Sequence, residues 1–153
     1  MTVGVSESTV EEAALDWLTE VGWGGQHGPQ IAPGETWSER DSWDQVVLIG
    51  RLNDAIARLN PGVPLTARDE ALRRVVRLDA PTAIGRNRLV HRYLVDGVEV
   101  EYAAGDGRIA GERVRLVDFE RPAANDFVAI NQFTIVEAGE NRRPDVLLFV
   151  NGL

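Results

Sequence analysis

The feature that most limits the fold is a change of hydrophobic period near residue 96. Before it, apolar residues recur at the spacing of amphipathic helices; after it, they alternate as strand residues do. Ser8 stands three residues before Glu11, the pattern of a capping box, and Val10, Ala14, Trp17, Leu18 and Val21 follow at helical spacing until Gly22. Residues 22–38 are rich in Gly, Pro and Gln and read as loop. A second helix is predicted from about Ser42 through Val47, Leu48, Leu52, Ile56 and Leu59, ending at Asn60-Pro61-Gly62. A third opens at Thr66 with Leu72, Val75, Val76 and Leu78, and a fourth runs from about Thr82 to Val95.

Beyond Asp96-Gly97, Val98, Val100 and Tyr102 alternate, Gly105-Asp106-Gly107 offers a turn, and residues 114–117 resume the strand pattern. Phe127 to Val136 alternates again, and Val146 to Val150 is a continuous apolar run with the look of a strand covered on both faces. Helices first and strands afterwards predict an α/β fold of the α+β kind, a mixed β-sheet flanked by helices. At 153 residues the chain suits one domain. Asn151-Gly152 is a strong signal for a two-residue hairpin, yet only Leu153 follows it. The expectation is therefore an incomplete domain cut at a hairpin tip, the alternative being a natural end on an edge strand.

Charge narrows the chemistry. The net charge is −8, and all 16 basic residues are arginine. Without lysine there is no P-loop, no Schiff-base chemistry and no Ser-Lys dyad within these residues. The acidic excess is N-terminal, since residues 1–45 hold nine carboxylates against one arginine. Such a surface does not attract a polyanion over a broad face, so nucleic-acid binding needs a local arginine cluster or another subunit. Cysteine is absent, which removes disulfides and thiolate sites. With no signal peptide and no apolar run long enough to span a bilayer, the expected location is cytoplasmic.

Asp145, directly after Pro144, opens the last apolar run, and alternation places it on the face of Leu147 and Phe149. It either caps a turn or pairs with Arg142 or Arg143, or it holds a hard cation together with oxygen ligands from neighbouring elements. His27 and His91 lack paired ligand spacing, which argues against zinc. The glycine-rich residues 22–28 lack the context of a phosphate loop and read as a connector. Trp17, Trp23, Trp37 and Trp43 are assigned to the core or to an intersubunit contact.

Asn125-Asp126-Phe127 through Asn131-Gln132-Phe133, then Arg142-Arg143-Pro144-Asp145-Val146 and Phe149-Val150-Asn151-Gly152-Leu153, resemble the N-terminal endonuclease domain of the type I restriction enzyme R (HsdR) subunit. Glu11, Arg58-Leu59-Asn60-Pro61 and the Asn87-to-Asp96 segment resemble it more weakly. The resemblance implies a fold of the PD-(D/E)xK nuclease class and Mg²⁺-dependent cleavage of double-stranded DNA, with Asp145 as a catalytic residue and metal ligand. It also implies methylation and specificity subunits as partners, and ATP used by motor domains outside these residues. In that family the strand after the Asn-Gly turn carries Glu-x-Lys, which is absent here, so the isolated chain is expected to be inactive.

The class often contributes a carboxylate from its first helix, which makes Glu11 the second catalytic candidate; its competing role is the capping box, the favoured one on local sequence. Glu7 and Glu12 belong to the same acidic cluster. Arg142 and Arg143 either hold a DNA phosphate or neutralise Asp145 or Glu140. Gln132 is a candidate support for the strand beside Asp145. The rival functional class is a non-catalytic docking domain on a degenerate nuclease scaffold.

Overall fold

The computed structural model describes residues 6–153, which form two compact units. The first comprises the chain through Leu48 together with Asp126–Leu153; the second is Ile49–Asn125. The architecture is mixed α/β: among the described residues every α-helix lies before Gly97 and every strand except Gly24–His27 lies after it.

In the first unit, α1 (Glu7–Glu20) precedes β1 (Gly24–His27) and a 3-10 turn at Gly28–Ile31. After the second unit the chain returns as β4 (Phe127–Asn131) and ends with β7 (Val146–Val150). These strands form a mixed sheet in the order β1-β4-β7, with β1 parallel and β7 antiparallel to β4. Between β4 and β7, β5 (Ile135–Glu137) and β6 (Glu140–Arg142) make a small hairpin. Its core joins Ile31, Leu48, Val128, Ile130, Phe133 and Phe149, the two phenylalanine rings lying 5.3 Å apart. Arg40 is buried beside them, its guanidinium carbon 3.8 Å from the Phe133 ring centroid and one of its N–H groups donating to the Thr134 carbonyl.

The Asn151-Gly152 turn forms as the sequence predicts. Both residues take left-handed backbone angles, φ 54° and 83°, as a type I′ turn requires, and Val150 and Leu153 exchange both backbone hydrogen bonds at 3.0 and 3.1 Å. Asn151 is fully buried because it clips the turn to the entrance of β4: its N–H donates to the Asp126 carbonyl and its Oδ1 accepts the Asp126 N–H, each at 2.7 Å.

The second unit packs α2 (Ile49–Leu59) on α3 (Leu65–Val76), and α3 on the antiparallel hairpin β2 (Val98–Ala103)–β3 (Ile109–Val114). Buried Leu52, Ile56, Ala67, Ala71, Val98, Val100 and Val114 supply its interior. α4 (Ala83–Asp96) is capped by Thr82, whose side chain accepts the Gly85 N–H. Buried Asn60 joins the end of α2 to the chain after β3: its Nδ2 donates to the Ile56 and Arg115 carbonyls and its Oδ1 accepts the Arg115 N–H.

Several expectations need correction. The N-cap of α1 is Ser6, whose hydroxyl accepts the Thr9 N–H, so Ser8 and Glu11 do not form a capping box. The helix is also rotated from the expected face: Glu11 and Leu15 are buried, whereas Val10, Trp17 and Val21 are 58%, 69% and 74% exposed. Residues 22–38 are not all loop, because β1 pairs with β4; two glycines leave that strand without an alternating pattern. α2 begins at Ile49 rather than near Ser42. Ahead of it the Gln45 side chain accepts the Asp41 N–H and donates to the Val47 carbonyl, holding turns, while the Leu48 N–H donates to the Gly152 carbonyl. The 127–136 pattern is two strands, broken at Gln132 with φ 52°. Leu148 is 52% exposed, so β7 is not covered on both faces. Of the tryptophans, Trp17, Trp37 and Trp43 are exposed, while Trp23 meets Phe127 in a tilted contact, ring centroids 5.0 Å apart and planes at 60°.

Candidate metal centre

Parallel pairing puts the C-terminal ends of β1 and β4 at the same edge of the sheet, and antiparallel β7 begins there too. That edge gathers His27, Asn131, Gln132 and Asp145, and α1 packs against β1, β4 and β7 to deliver Glu11. The sheet thus collects polar groups from distant parts of the chain at one place.

Glu7, Glu11 and Asp145 converge, each offering a carboxylate oxygen within 4.8 Å of the others. Glu7 and Glu11 sit one helical turn apart on α1, which lets both face the same point. Glu12, their neighbour, is exposed and does not join them. Three carboxylates this close repel by about 1 kcal/mol per pair in a water-like medium, and more as solvent is excluded. All three present hard oxygen donors, the chemistry that suits Mg²⁺, which takes a few carboxylates and keeps several waters.

Glu11 is the fixed member. It is 5% exposed, and Gln132 Nε2 donates to both carboxylate oxygens at 2.6 and 2.5 Å. Asn131 Nδ2 adds a longer contact of 3.5 Å to Oε2. The Gln132 backbone N–H donates to the Asp145 carbonyl at 3.2 Å, so one residue ties both acidic elements together. Gln132 reaches them from its left-handed conformation, which costs a non-glycine residue of order 1–3 kcal/mol and persists only where its surroundings hold it. Gly28 permits that kink: a Cβ there would lie 2.5 Å from the Gln132 carbonyl oxygen.

Asp145 lies exposed in a bend immediately before β7, with Leu147 partly and Phe149 fully withdrawn into the core. Arg142 and Arg143 are exposed, and among the described residues neither pairs with Asp145 or Glu140. The competing ion-pair reading of Asp145 therefore has no counterpart among the described residues. His27 Nδ1 lies 2.7 Å from Asn131 Oδ1, while His91 sits in α4 of the second unit. Reasoning from sequence misses His27, Asn131 and Gly28, because only the parallel register of Gly24–His27 on β4 brings them to this edge.

No helix of the described residues is long and apolar enough to cross a membrane. Residues 4–153 match the family model described as type I restriction enzyme R protein N terminus (HSDR_N). The chain is 36% identical over 151 residues to the type I restriction enzyme HindI endonuclease subunit of Haemophilus influenzae, covering 97% of this chain and 14% of that protein. It is 31% identical over 147 residues to the putative type I restriction enzyme MjaIXP endonuclease subunit of Methanocaldococcus jannaschii, covering 94% of this chain and again 14% of the relative. The protein therefore belongs to the family of type I restriction enzyme R subunit N-terminal regions. It spans about one-seventh of the length of these curated relatives.

Proposed function

We propose that this chain contributes the first part of the DNA-cleaving site of a type I restriction enzyme, on a scaffold of the PD-(D/E)xK class. The observation that carries the reading is the convergence of Glu11 and Asp145, with Glu7, at the strand-end edge of the mixed sheet. Asp145 and Glu11 would hold Mg²⁺, and Glu7 offers a third oxygen. When bound, the ion polarises a scissile phosphate and makes a bound water more acidic. Gln132 holds the Glu11 carboxylate at a fixed position, so less ordering is needed when the ion arrives. Arg142 and Arg143 carry guanidinium groups not engaged by Asp145, suited to a phosphate of the DNA backbone.

Double-stranded DNA is the substrate of the complete enzyme in this reading, with methylation and specificity subunits as its partners and ATP consumed by motor domains. No lysine occurs among the 153 residues, so the Glu-x-Lys pair that completes such a site is not among them. The chain by itself is accordingly expected to bind Mg²⁺ without cutting. A thermal melt with and without Mg²⁺ tests the first part. The wild type gains about 2.7 kcal/mol at a hundredfold excess over Kd, and Asp145→Asn loses most of that gain; equal Mg²⁺ response in both proteins refutes the site. Supercoiled plasmid incubated with the chain and Mg²⁺ tests the second, and nicking that disappears in Asp145→Ala refutes the inactivity.

A further inference from the structure

The hydrogen bonds at the strand-end edge form a chain in which each link fixes the next. A carboxylate only accepts, so the Asn131 group facing Glu11 is its NH₂, and Nδ2 lies 3.5 Å from Oε2. The other end of the same amide is then the carbonyl oxygen, which only accepts as well. It faces His27 Nδ1 at 2.7 Å, so that nitrogen carries the proton. In the ring's neutral form the lone pair is then on Nε2.

We propose that His27 is a further residue of the metal centre, held by Asn131 and Glu11 as the Nδ1–H tautomer so that Nε2 accepts a hydrogen bond from a water hydrating the bound cation. This deepens the nuclease reading and rests on it. His27 stands outside the group formed by Glu7, Glu11 and Asp145 and connects to it only through Asn131 and Glu11, so its proposed role is toward the ion's water rather than direct ligation. Mg²⁺ retains several waters in protein sites, so an acceptor outside the ligand set has something to receive. His27 lies on an exposed strand end, open to such water. It is a positioning residue here: it orients water, and its own orientation is set by a buried carboxylate two hydrogen bonds away.

Nitrogen-15 NMR of the imidazoles in the full chain tests this without reference to cleavage, since His27 and His91 are its only histidines. At a pH where the ring is neutral, His27 is expected to carry its proton on Nδ1 rather than Nε2, and to lose that preference in Asn131→Ala. A wild-type ring protonated on Nε2 overturns the proposal, whether or not the variant folds. Mn²⁺ is then added as a paramagnetic probe, its binding followed independently by water-proton relaxation. The expected result is loss of the His27 ring signals, reversed in Asp145→Asn. Bound Mn²⁺ that leaves His27 sharp overturns the proposal while sparing the carboxylate site. Failure of Mn²⁺ to bind at all overturns the nuclease reading, and the acceptor role with it, whereas the metal-free tautomer is read separately.

Discussion

Gly28→Ala isolates the packing that holds the kink at Gln132. An added Cβ would meet the Gln132 carbonyl oxygen at 2.5 Å, the Gln132 carbonyl carbon at 2.7 Å and the Asn131 carbonyl oxygen at 2.8 Å. Ordinary contact begins near 3.4 Å, so the nearest atom must retreat by roughly 0.9 Å, and all three belong to backbone, which cannot swing aside as a flexible side chain can. Overpacking of this kind costs about 1–3 kcal/mol. For a chain of this size, each kcal/mol moves Tm by about 2–4 °C, so a fall of roughly 2–12 °C is expected. Differential scanning calorimetry measures it, and the Mg²⁺-dependent rise in Tm should shrink as well, because Gln132 carries Glu11 with it. A Gly28→Ala protein that melts within about 1 °C of the wild type and keeps its full metal response would refute this account.

The same substitution at Gly50, in the first turn of α2 with nothing within 4 Å of a new Cβ, should instead stabilise by about 0.5 kcal/mol in urea unfolding, because it restricts the unfolded chain. Asn151→Ala removes the side-chain acceptor of the half-buried Asp126 N–H and places alanine at positive φ; chemical denaturation should show a loss of about 2–3 kcal/mol with an unchanged m-value. The Asp118 carboxyl is held below the usual carboxylate range, chiefly by the Arg121 backbone N–H and, against the cost of desolvation, by the Arg121 guanidinium. A carboxylate depressed in the folded state contributes stability above its unfolded pKa, near 4, and loses it as pH falls through its folded value. Unfolding of wild type and Asp118→Asn across pH 2–7 should therefore diverge above about pH 4 and converge in acid; parallel curves would contradict the assignment.

Much of this fold is legible wherever a local signal suffices. The change of period near Gly97 separates helices from strands, α3 and α4 begin within a residue of their expected starts, and Asn151-Gly152 forms its predicted turn. What escapes is non-local. β1 contains Gly24 and Gly25, so it has no alternating apolar face to announce it, and its reason for being extended is a partner strand a hundred residues away. The break at Gln132 arises from tertiary packing against Gly28 and from the hold on Glu11, not from any turn residue. Of the candidate site, Asp145 and Glu11 are both named by the resemblance, yet local sequence assigns Glu11 to a cap because Ser8, unlike Ser6, stands at capping-box spacing from a glutamate. Gln132 is legible as a support for the Asp145 strand, but its grip on Glu11 is visible only in three dimensions.

The orientation of α1 is a compromise between two demands on one cylinder. Turning it by about one residue, or 100°, would tuck Trp17 and Val21 inward as their spacing invites, and would swing the acid at position 11 away from Asp145. The helix instead leaves its greasiest side outdoors so that a single carboxylate can point indoors. Val10, Trp17 and Val21 can therefore be rewritten with polar side chains at little thermodynamic penalty, while Glu11, buried and bonded to Gln132, cannot be changed as cheaply.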